Sequence, residues 1–217
     1  MSLNSERTTV RREPHRGVYD RETIHAILDA GFVCHMGFVH DGHPFVIPTS
    51  YWRIDNDLYV HGSSASRMLR NLAAGLEVCV TVTHIDGLVL ARSAFNHSVN
   101  YRSVVVLGKG TPLETDEEKI AALRAFTERL APGRWNEIRY PNAQELKATS
   151  VLKVPLTEAS AKVRQGPPED DADDYALSCW AGVVPFETVV GPAERDPKLR
   201  EEISAPRYVE QYSGPRR

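Results

Sequence analysis

Apolar residues along this chain fall into short segments that are separated by turn-forming residues, a pattern typical of β-strands. Valine, isoleucine, threonine and aromatic residues are common in these segments, and the Asp-Gly pairs at 41–42 and 86–87 predict tight turns. The segment 151–156 is predicted to be the last strand of the antiparallel barrel that these segments form. The full set of predicted strands covers residues 32–39, 44–54, 58–62, 76–85, 101–113 and 151–156.

Other segments repeat apolar residues every three or four positions, which predicts helices. Thr115 with Glu118 forms a capping box for a helix over 116–130, and shorter helices are expected over 21–30 and just before Gly75. The strands follow one another too closely for βαβ units. The pattern therefore predicts a mainly β protein, an antiparallel barrel with peripheral helices.

The predicted organisation of the chain has three parts. Residues 1–18 are expected to form a flexible arm, residues 19–190 a single barrel domain, and residues 191–217 a C-terminal tail. Past residue 156 the sequence becomes rich in loop-forming residues, and we interpret its acidic run at 169–174 as a solvated loop.

Composition and charge narrow the functional classes. The chain is 41% hydrophobic and 25% charged, and its net charge of −3 gives no basic footprint for nucleic-acid binding. No apolar run approaches the roughly 18 residues that span a bilayer, and the N-terminus is too polar for a secretory signal. The three cysteines form no CxxC pair. We therefore expect a cytoplasmic protein without disulfides or membrane contact.

The segment HGSSASR at 61–67 breaks a rule of helix electrostatics. Arg67 falls in the first turn of the predicted helix, where N–H groups are unpaired and a cation is unfavourable. Ser63 and Ser64 can cap this helix, and Ser66 presents a hydroxyl beside the arginine. A bound phosphate would accept hydrogen bonds from these N–H groups and hydroxyls and would pair with the guanidinium. The alternative is a surface helix with an incidental arginine.

Other polar positions have simpler interpretations. Arg102 and Ser103 lie near the start of a β-branched strand, where Arg102 needs a partner if it is buried and is otherwise an edge residue in solvent. Metal ligation is conceivable for His35, His40 and His43, but no matching ligands stand at zinc spacing. We interpret these three as exposed turn histidines and predict no metal site.

Together these segments resemble the flavin-binding split-barrel superfamily of pyridoxamine 5′-phosphate oxidase-like proteins. Within it the chain is similar to the flavin-nucleotide-binding proteins near the nitroimidazole-resistance proteins. The resemblance covers about residues 15–190 and is carried by PFVIPTSYW, LYVHGSSASRMLRNL, DGLVLARSAFNHSVNYRSVVVLGKG, PGRW, and SAKVRQGPP followed by WAGVVP. It implies a six-stranded Greek-key barrel and a homodimer with FMN in the clefts between the subunits.

The same resemblance assigns cofactor contacts to individual positions. The strand 46–50 would run beside the isoalloxazine ring, and Ser66 with Arg67 would hold the FMN phosphate. His61 would face the flavin as a proton donor, with a structural histidine as the alternative. The implied cofactor-binding residues are Val46, Ile47, Pro48, Thr49, Ser50, His61, Gly62, Ser63, Ser66, Arg67, Arg102 and Ser103.

Two departures from the oxidases bear on the substrate. The oxidases have a lysine after the Ser-Arg pair, where this chain has Met68, and their C-terminal Arg-x-His substrate motif is absent from YVEQYSGPRR. The sequence therefore predicts an FMN-dependent oxidoreductase acting on a small molecule other than pyridoxamine phosphate. The alternatives are a non-catalytic flavin or haem carrier or sensor, a nitroimidazole-reductase-like resistance protein, and a deazaflavin in place of FMN.

Overall fold

The computed structural model describes residues 3–214, so the extreme ends of the predicted arm and tail lie outside the described residues. Its strands are β1 (Gly17–Val18), β2 (Val33–His40), β3 (His43–Ile54), β4 (Asp57–Ser63), β5 (Glu77–Leu90), β6 (Ser98–Lys109), β7 (Thr111–Pro112), β8 (Thr149–Pro155), β9 (Ala159–Arg164) and β10 (Gly182–Pro185). Its α-helices are α1 (Arg21–Asp29), α2 (Arg67–Ala73), α3 (Asp116–Leu130), α4 (Ala143–Ala148) and α5 (Arg207–Glu210). The predicted mainly β class is confirmed.

The strands form one antiparallel sheet in the order β1-β9-β6-β5-β2-β3-β4-β8-β7, with β10 paired to β5. β3 belongs to both halves of this sheet, because its residues 43–50 pair with β2 and its residues 51–54 pair with β4. Within the described chain the sheet has ten strands and its ends, β1 and β7, do not pair with each other. The six-stranded barrel therefore stays a prediction.

The main core lies on one face of the sheet, where α1 and α2 pack against it. Val80 and Val82 of β5 are buried there together with Val104 and Val106 of β6, and the residues between them point to the other face. The two helices contribute their apolar sides to the same cluster, through Ile24, Ile27, Leu28, Met68, Leu69 and Leu72.

The Asp-Gly pair at 86–87 does not form the turn that the sequence predicts. β5 continues through it to Leu90, and its register against β6 shifts between Ile85 and Gly87, which marks a β-bulge. β10 lies so close that a Cβ on Gly87 would come within 2.8 Å of the Val184 carbonyl oxygen. Glycine is needed here for the close approach of a strand rather than for a turn.

Two strands follow 151–156, so the prediction that this strand is the last one is wrong. The hydrophobic pattern does not predict β9, because its buried side chains, Ala159 and Ala161, are small and contribute little to that pattern. The N–H of Ala159 donates to the carbonyl of Leu3 at 2.8 Å, and Leu3 itself is buried. Arg7 forms an ion pair with Glu158. The described part of the expected arm is thus packed on the sheet, while the division into domain and tail stays a prediction.

α3 covers part of the opposite face of the sheet beside β3, where Trp52 and Ala122 are buried in a second cluster. It begins with the capping box that the sequence predicts. From its last turn Arg129 donates to the carbonyls of Asp29 and Gly31, at 2.9 and 2.6 Å. A third bond, to the carbonyl of Leu28, joins those from the Tyr51 hydroxyl and the backbone of Ala30 and Gly31, so Arg129 adds to the hydrogen bonding at the C-terminal end of α1. None of the helices in 3–214 has the length and apolar character needed to cross a bilayer.

We expect Arg129→Ala to lower the free energy of unfolding by about 1.5–3 kcal/mol, the usual contribution of hydrogen bonds to a charged group. The variant removes the cation that closes the C-terminal end of α1. Urea denaturation measures the change. Arg124→Ala removes an exposed cation from the same helix and is the matched control. Equal stability of the two variants would contradict the capping role of Arg129.

Candidate functional site

The side chains of β3 divide between the core and the outer face of the sheet. Ile47 packs against the main core and Thr49 shares its side, so Val46, Pro48 and Ser50 point outward. Val46 is 66% exposed. Past Ser50 the outer face is covered by α3. The predicted contact strand therefore presents three of its five side chains on an uncovered surface, while the other two can offer only backbone groups there.

One edge of β3 has no strand partner along the same stretch. Residues 43–50 pair with β2, whereas β4 joins the other edge only at residues 51–54. Within residues 3–214, the outer edge of 46–50 therefore carries backbone N–H and C=O groups without a ladder partner. An unpaired edge is a row of donors and acceptors at fixed spacing. Such an edge can bind a planar heterocycle that has donors and acceptors on its own rim.

His35 lies in the middle of this outer face, a position that the sequence analysis missed. It stands opposite Pro48 of β3 and Thr81 of β5, and its side chain is exposed. His40 and His43 do flank the hairpin turn, directly opposite each other. The sequence signal that could have placed His35 on the outer face is the alternation of β2, in which its two neighbours, Cys34 and Met36, are buried. Across residues 3–214, no three His, Cys, Asp or Glu side chains are grouped to hold a metal ion.

The loop between β4 and α2 is closed by backbone bonds and by one serine side chain. The N–H of Ser66 donates to the carbonyl of Ser63 at 2.8 Å, and the Ser63 hydroxyl accepts from the N–H of Ala65 at 3.2 Å. The residue in the N-cap position is Ser66, and its hydroxyl makes no capping bond. The prediction that Ser63 and Ser64 cap the helix is therefore wrong. The first turn of α2, which begins at Arg67, has no side-chain cap.

Arg67 connects this turn to the start of the uncovered strand. Its guanidinium carbon lies 4.4 Å from the centroid of the Phe45 ring, and Phe45 stacks on Phe38 with 5.6 Å between centroids. The side chain is exposed and forms no ion pair with any carboxylate in the described chain. A cation–π contact orients the guanidinium without neutralising it. Arg67 therefore presents an unpaired positive charge beside Phe45, which directly precedes the uncovered stretch 46–50.

His61 lies on the outer face of β4, at the border between the uncovered surface and α3. Its ring centroid is 5.4 Å from that of Trp52 and 4.8 Å from that of Phe126. Its Nδ1 is buried without a hydrogen-bond partner. Nε1 of Trp52 is also buried and has no partner. Burial lowers the pKa of His61 from its ordinary value of 6.5, so the ring is neutral at pH 7. The neighbouring Gly62 lies at the core, where a Cβ would approach Leu69 to 3.1 Å.

Arg102, which the resemblance lists among the cofactor-binding residues, is paired with a carboxylate in the structure. Its guanidinium donates to both oxygens of Asp86, at 2.8 and 2.9 Å, and this pairing raises the pKa of Arg102. The pair lines a cleft of about 370 Å³ with His84 and residues of the C-terminal tail. The charge of Arg102 is thus neutralised within its own cleft.

Ser103 points to the outer face of β6, opposite Thr83 of β5, and its hydroxyl donates to the carbonyl of Lys162 at 3.2 Å. The strand order places β6 three strands from β3, which corresponds to about 14 Å along the sheet. Ser103 and residues 46–50 therefore share a face but cannot contact one small ring within a single subunit.

Comparison with known structures gives two similar proteins over nearly the whole chain. The flavocytochrome Anf3 from Azotobacter vinelandii is 43% identical, with a TM-score of 0.91 over 94% of this chain and 95% of that one. The FAD- and haem-binding protein from Mycobacterium smegmatis is 35% identical, with a TM-score of 0.88 over 92% of this chain and 98% of that one.

A more distant structure shares the fold alone. It is a proposed 5-nitroimidazole antibiotic resistance protein from Bacteroides thetaiotaomicron, 23% identical, with a TM-score of 0.53 over 68% of this chain and 86% of that one. A comparison with curated proteins finds no match. The family model described as pyridoxamine 5′-phosphate oxidase matches residues 20–163, which is more than half of the chain. This match, together with the two similar structures, confirms the resemblance found in the sequence: the chain belongs to the pyridoxamine 5′-phosphate oxidase-like family.

Proposed function

We propose that this protein binds a flavin nucleotide on the outer face of β3, with the phosphate at Arg67 and the ring system along residues 46–50. The observation that carries the proposal is the unpaired edge of β3 beside a guanidinium without an ion pair. The rim of an isoalloxazine ring has carbonyl acceptors and an N–H donor, which suit a strand edge. A phosphate suits an uncapped helix start that presents the Ser66 hydroxyl and a cation.

The cofactor proposed from the sequence is FMN, and the M. smegmatis protein supports FAD as the alternative. Both molecules carry a phosphate on the ribityl chain, so the same contact at Arg67 serves either. Mass spectrometry of the cofactor released from purified protein distinguishes FMN, FAD and a deazaflavin.

We propose a homodimer with the flavin between subunits. If Ser103 contacts the flavin, as the resemblance implies, it does so from a second copy, because β6 and β3 of one copy are about 14 Å apart. The outer face also carries three valines, Val33, Val39 and Val46, that are 53%, 55% and 66% exposed. A second copy would remove this apolar surface from water.

The proposed activity is that of a cytoplasmic oxidoreductase acting on a small molecule. A bound flavin would supply hydride and single-electron chemistry, while the protein orients it and places His61 at the border of the face. A second candidate function is haem binding in addition to flavin. It is supported by the descriptions of the two most extensively matching structures reported above, a flavocytochrome and an FAD- and haem-binding protein.

We expect Arg67→Ala to weaken FMN binding by about tenfold to a hundredfold, because a hydrogen bond to an ionised group contributes roughly 1.5–3 kcal/mol. Arg67→Glu should weaken it further by repulsion. Riboflavin lacks the phosphate, so its affinity should hardly change. Titration of apo-protein with both ligands, followed by flavin fluorescence, measures the effect.

Arg124→Ala is the matched control for the Arg67 variants, since it removes an exposed cation from α3. It should leave both affinities unchanged. Equal losses for FMN and riboflavin in Arg67→Ala would show that Arg67 supports the fold or the ring, and the phosphate proposal would be wrong.

We expect His61→Gln to retain the flavin and to lower reductase turnover, because a proton donor contributes more to rate than to cofactor affinity. Burial lowers the pKa of His61, so the protonated form, and with it the rate, should increase only at a more acidic pH than for an ordinary histidine. The pH profile of quinone or nitro-compound reduction between about pH 5 and 8 measures this. His43→Gln, at an exposed position, is the control. An unchanged profile in His61→Gln would remove His61 from the mechanism.

We expect light scattering to give twice the chain mass of 24.2 kDa, and Val33→Asp to shift the protein toward the monomer. The substitution places a charge on the apolar outer face, where burial without a partner is costly. Val189→Asp changes a more exposed valine that follows β10 and should leave the mass unchanged. A monomeric wild-type protein at micromolar concentration would contradict the shared site.

A further inference from the structure

A row of three polar side chains crosses the outer face of the sheet at Ser103. Thr83 of β5 lies directly opposite Ser103 of β6, and Ser103 lies directly opposite Lys162 of β9. Directly opposite residues of antiparallel strands share a face, with their Cβ atoms about 4.5–5.5 Å apart. The register therefore places Lys162 beside Ser103 on the outer face, while its neighbour Ala161 is buried in the main core. Lys162 is not among the residues that the family resemblance implies.

Lys162 has no counter-ion within the described chain. Its side chain is half-buried, and its ammonium group forms no ion pair or hydrogen bond among residues 3–214. The residues opposite and diagonal to it on β6 are Tyr101, Ser103 and Val105, none of which carries a carboxylate. On the other edge of β9 the residue opposite Lys162 is Gly17, which has no side chain. The cation is thus available to an anionic group that approaches this face.

The hydroxyl of Ser103 completes the set of polar groups beside Lys162. It donates its proton to the backbone carbonyl of Lys162 at 3.2 Å. A serine hydroxyl has one proton, so its oxygen can only accept from a group above the sheet. The row therefore offers a hydrogen-bond acceptor beside a cationic donor. These two groups suit the pyrimidine edge of an isoalloxazine ring, where an N–H donor lies next to a carbonyl acceptor.

We propose that Lys162 pairs with the N1 and C2-carbonyl edge of the flavin and stabilises its reduced form. This assignment rests on the proposed function, in which the flavin lies between β3 of one copy and Ser103 of a second copy. β9 is four strands from β3, or about 19 Å along the sheet of one copy, so Lys162 also reaches the flavin from the second copy. One subunit would then hold the phosphate through Arg67, and the other would contact the ring.

The role of Lys162 follows from where charge develops on reduction. A hydride donor transfers one hydrogen nucleus and two electrons to N5 of the oxidised ring, and the donor is thereby oxidised. The oxidised ring is neutral, and the negative charge that it gains is shared by N1 and the C2 carbonyl. A cation at this edge therefore binds the reduced flavin more tightly than the oxidised flavin. Such a preference raises the reduction potential of the bound cofactor.

The reduction potential of bound FMN, measured by equilibration with a reference dye, tests the assignment. Lys162→Gln should lower this potential by about 30–60 mV, which corresponds to a tenfold to hundredfold loss of preference for the reduced flavin. The affinity for oxidised FMN should hardly change. Lys162→Arg keeps the charge and should retain most of the wild-type potential. Lys147→Gln removes an exposed lysine from α4 and is the matched control.

Mixed dimers test which copy supplies Lys162. One copy carries Arg67→Glu, the other carries Lys162→Gln, and different affinity tags allow the mixed dimer to be isolated. If the copies share each site, one site keeps both wild-type residues, and its flavin should have the wild-type potential. If each copy binds flavin alone, the copy that still binds FMN is the one with Lys162→Gln. A lowered potential in the mixed dimer would therefore overturn the assignment of Lys162 to the second copy.

Four outcomes separate the role of Lys162 from flavin binding itself. A lowered potential in Lys162→Gln, together with a retained potential in Lys162→Arg, supports the role. A wild-type potential in Lys162→Gln overturns it and leaves flavin binding standing. An unchanged potential with a loss of affinity for FAD but not for FMN would place Lys162 at the second phosphate of FAD, and this also overturns the role. A wild-type protein that binds no flavin overturns the proposed function and the role of Lys162 together.

Discussion

The change of partner along β3 is the constraint on which the candidate site depends. The strand pairs with β2 up to residue 50 and with β4 from Tyr51 onward. Tyr51 lies at the changeover: its N–H donates to the carbonyl of Phe32 at 3.0 Å, and its buried hydroxyl donates to the carbonyl of Leu28. β4 pairs with β3 only from Tyr51 onward. The open edge that results would invite association with other strands unless a ligand or a second copy covers it.

Three polar groups near β3 and β4 lack the partners that local rules would give them. Arg67 opens α2, where the helix dipole disfavours a cation, and no carboxylate of the described chain compensates it. On the outer face, Nδ1 of His61 and Nε1 of Trp52 are buried without partners, an arrangement that usually costs about 1–3 kcal/mol for each group. Such departures from local rules are expected where a ligand supplies the missing partner, and the one at Arg67 motivates the proposed phosphate contact.

The two faces of the sheet have different surroundings. One face buries the main core, which includes Val80 and Val82 of β5 and Val104 and Val106 of β6. On the outer face the stretch 46–50 of β3 has an open edge, and Arg67 near its start has no ion pair within the described chain. A phosphorylated heterocycle suits this combination.

The sequence by itself determined the class of fold, most strand and helix positions, the family, and Arg67 as an unusual cation. These features are local: strand composition, the capping box at Thr115 and the break in helix electrostatics are all visible within a few residues. Only the tertiary structure decided that Gly87 serves strand packing, that Arg102 is neutralised by Asp86, and that His35 lies on the uncovered outer face of the sheet. Each of these depends on residues far away in the chain. A single sequence does not state which distant strands pair or in what register, and register decides which side chains share a face.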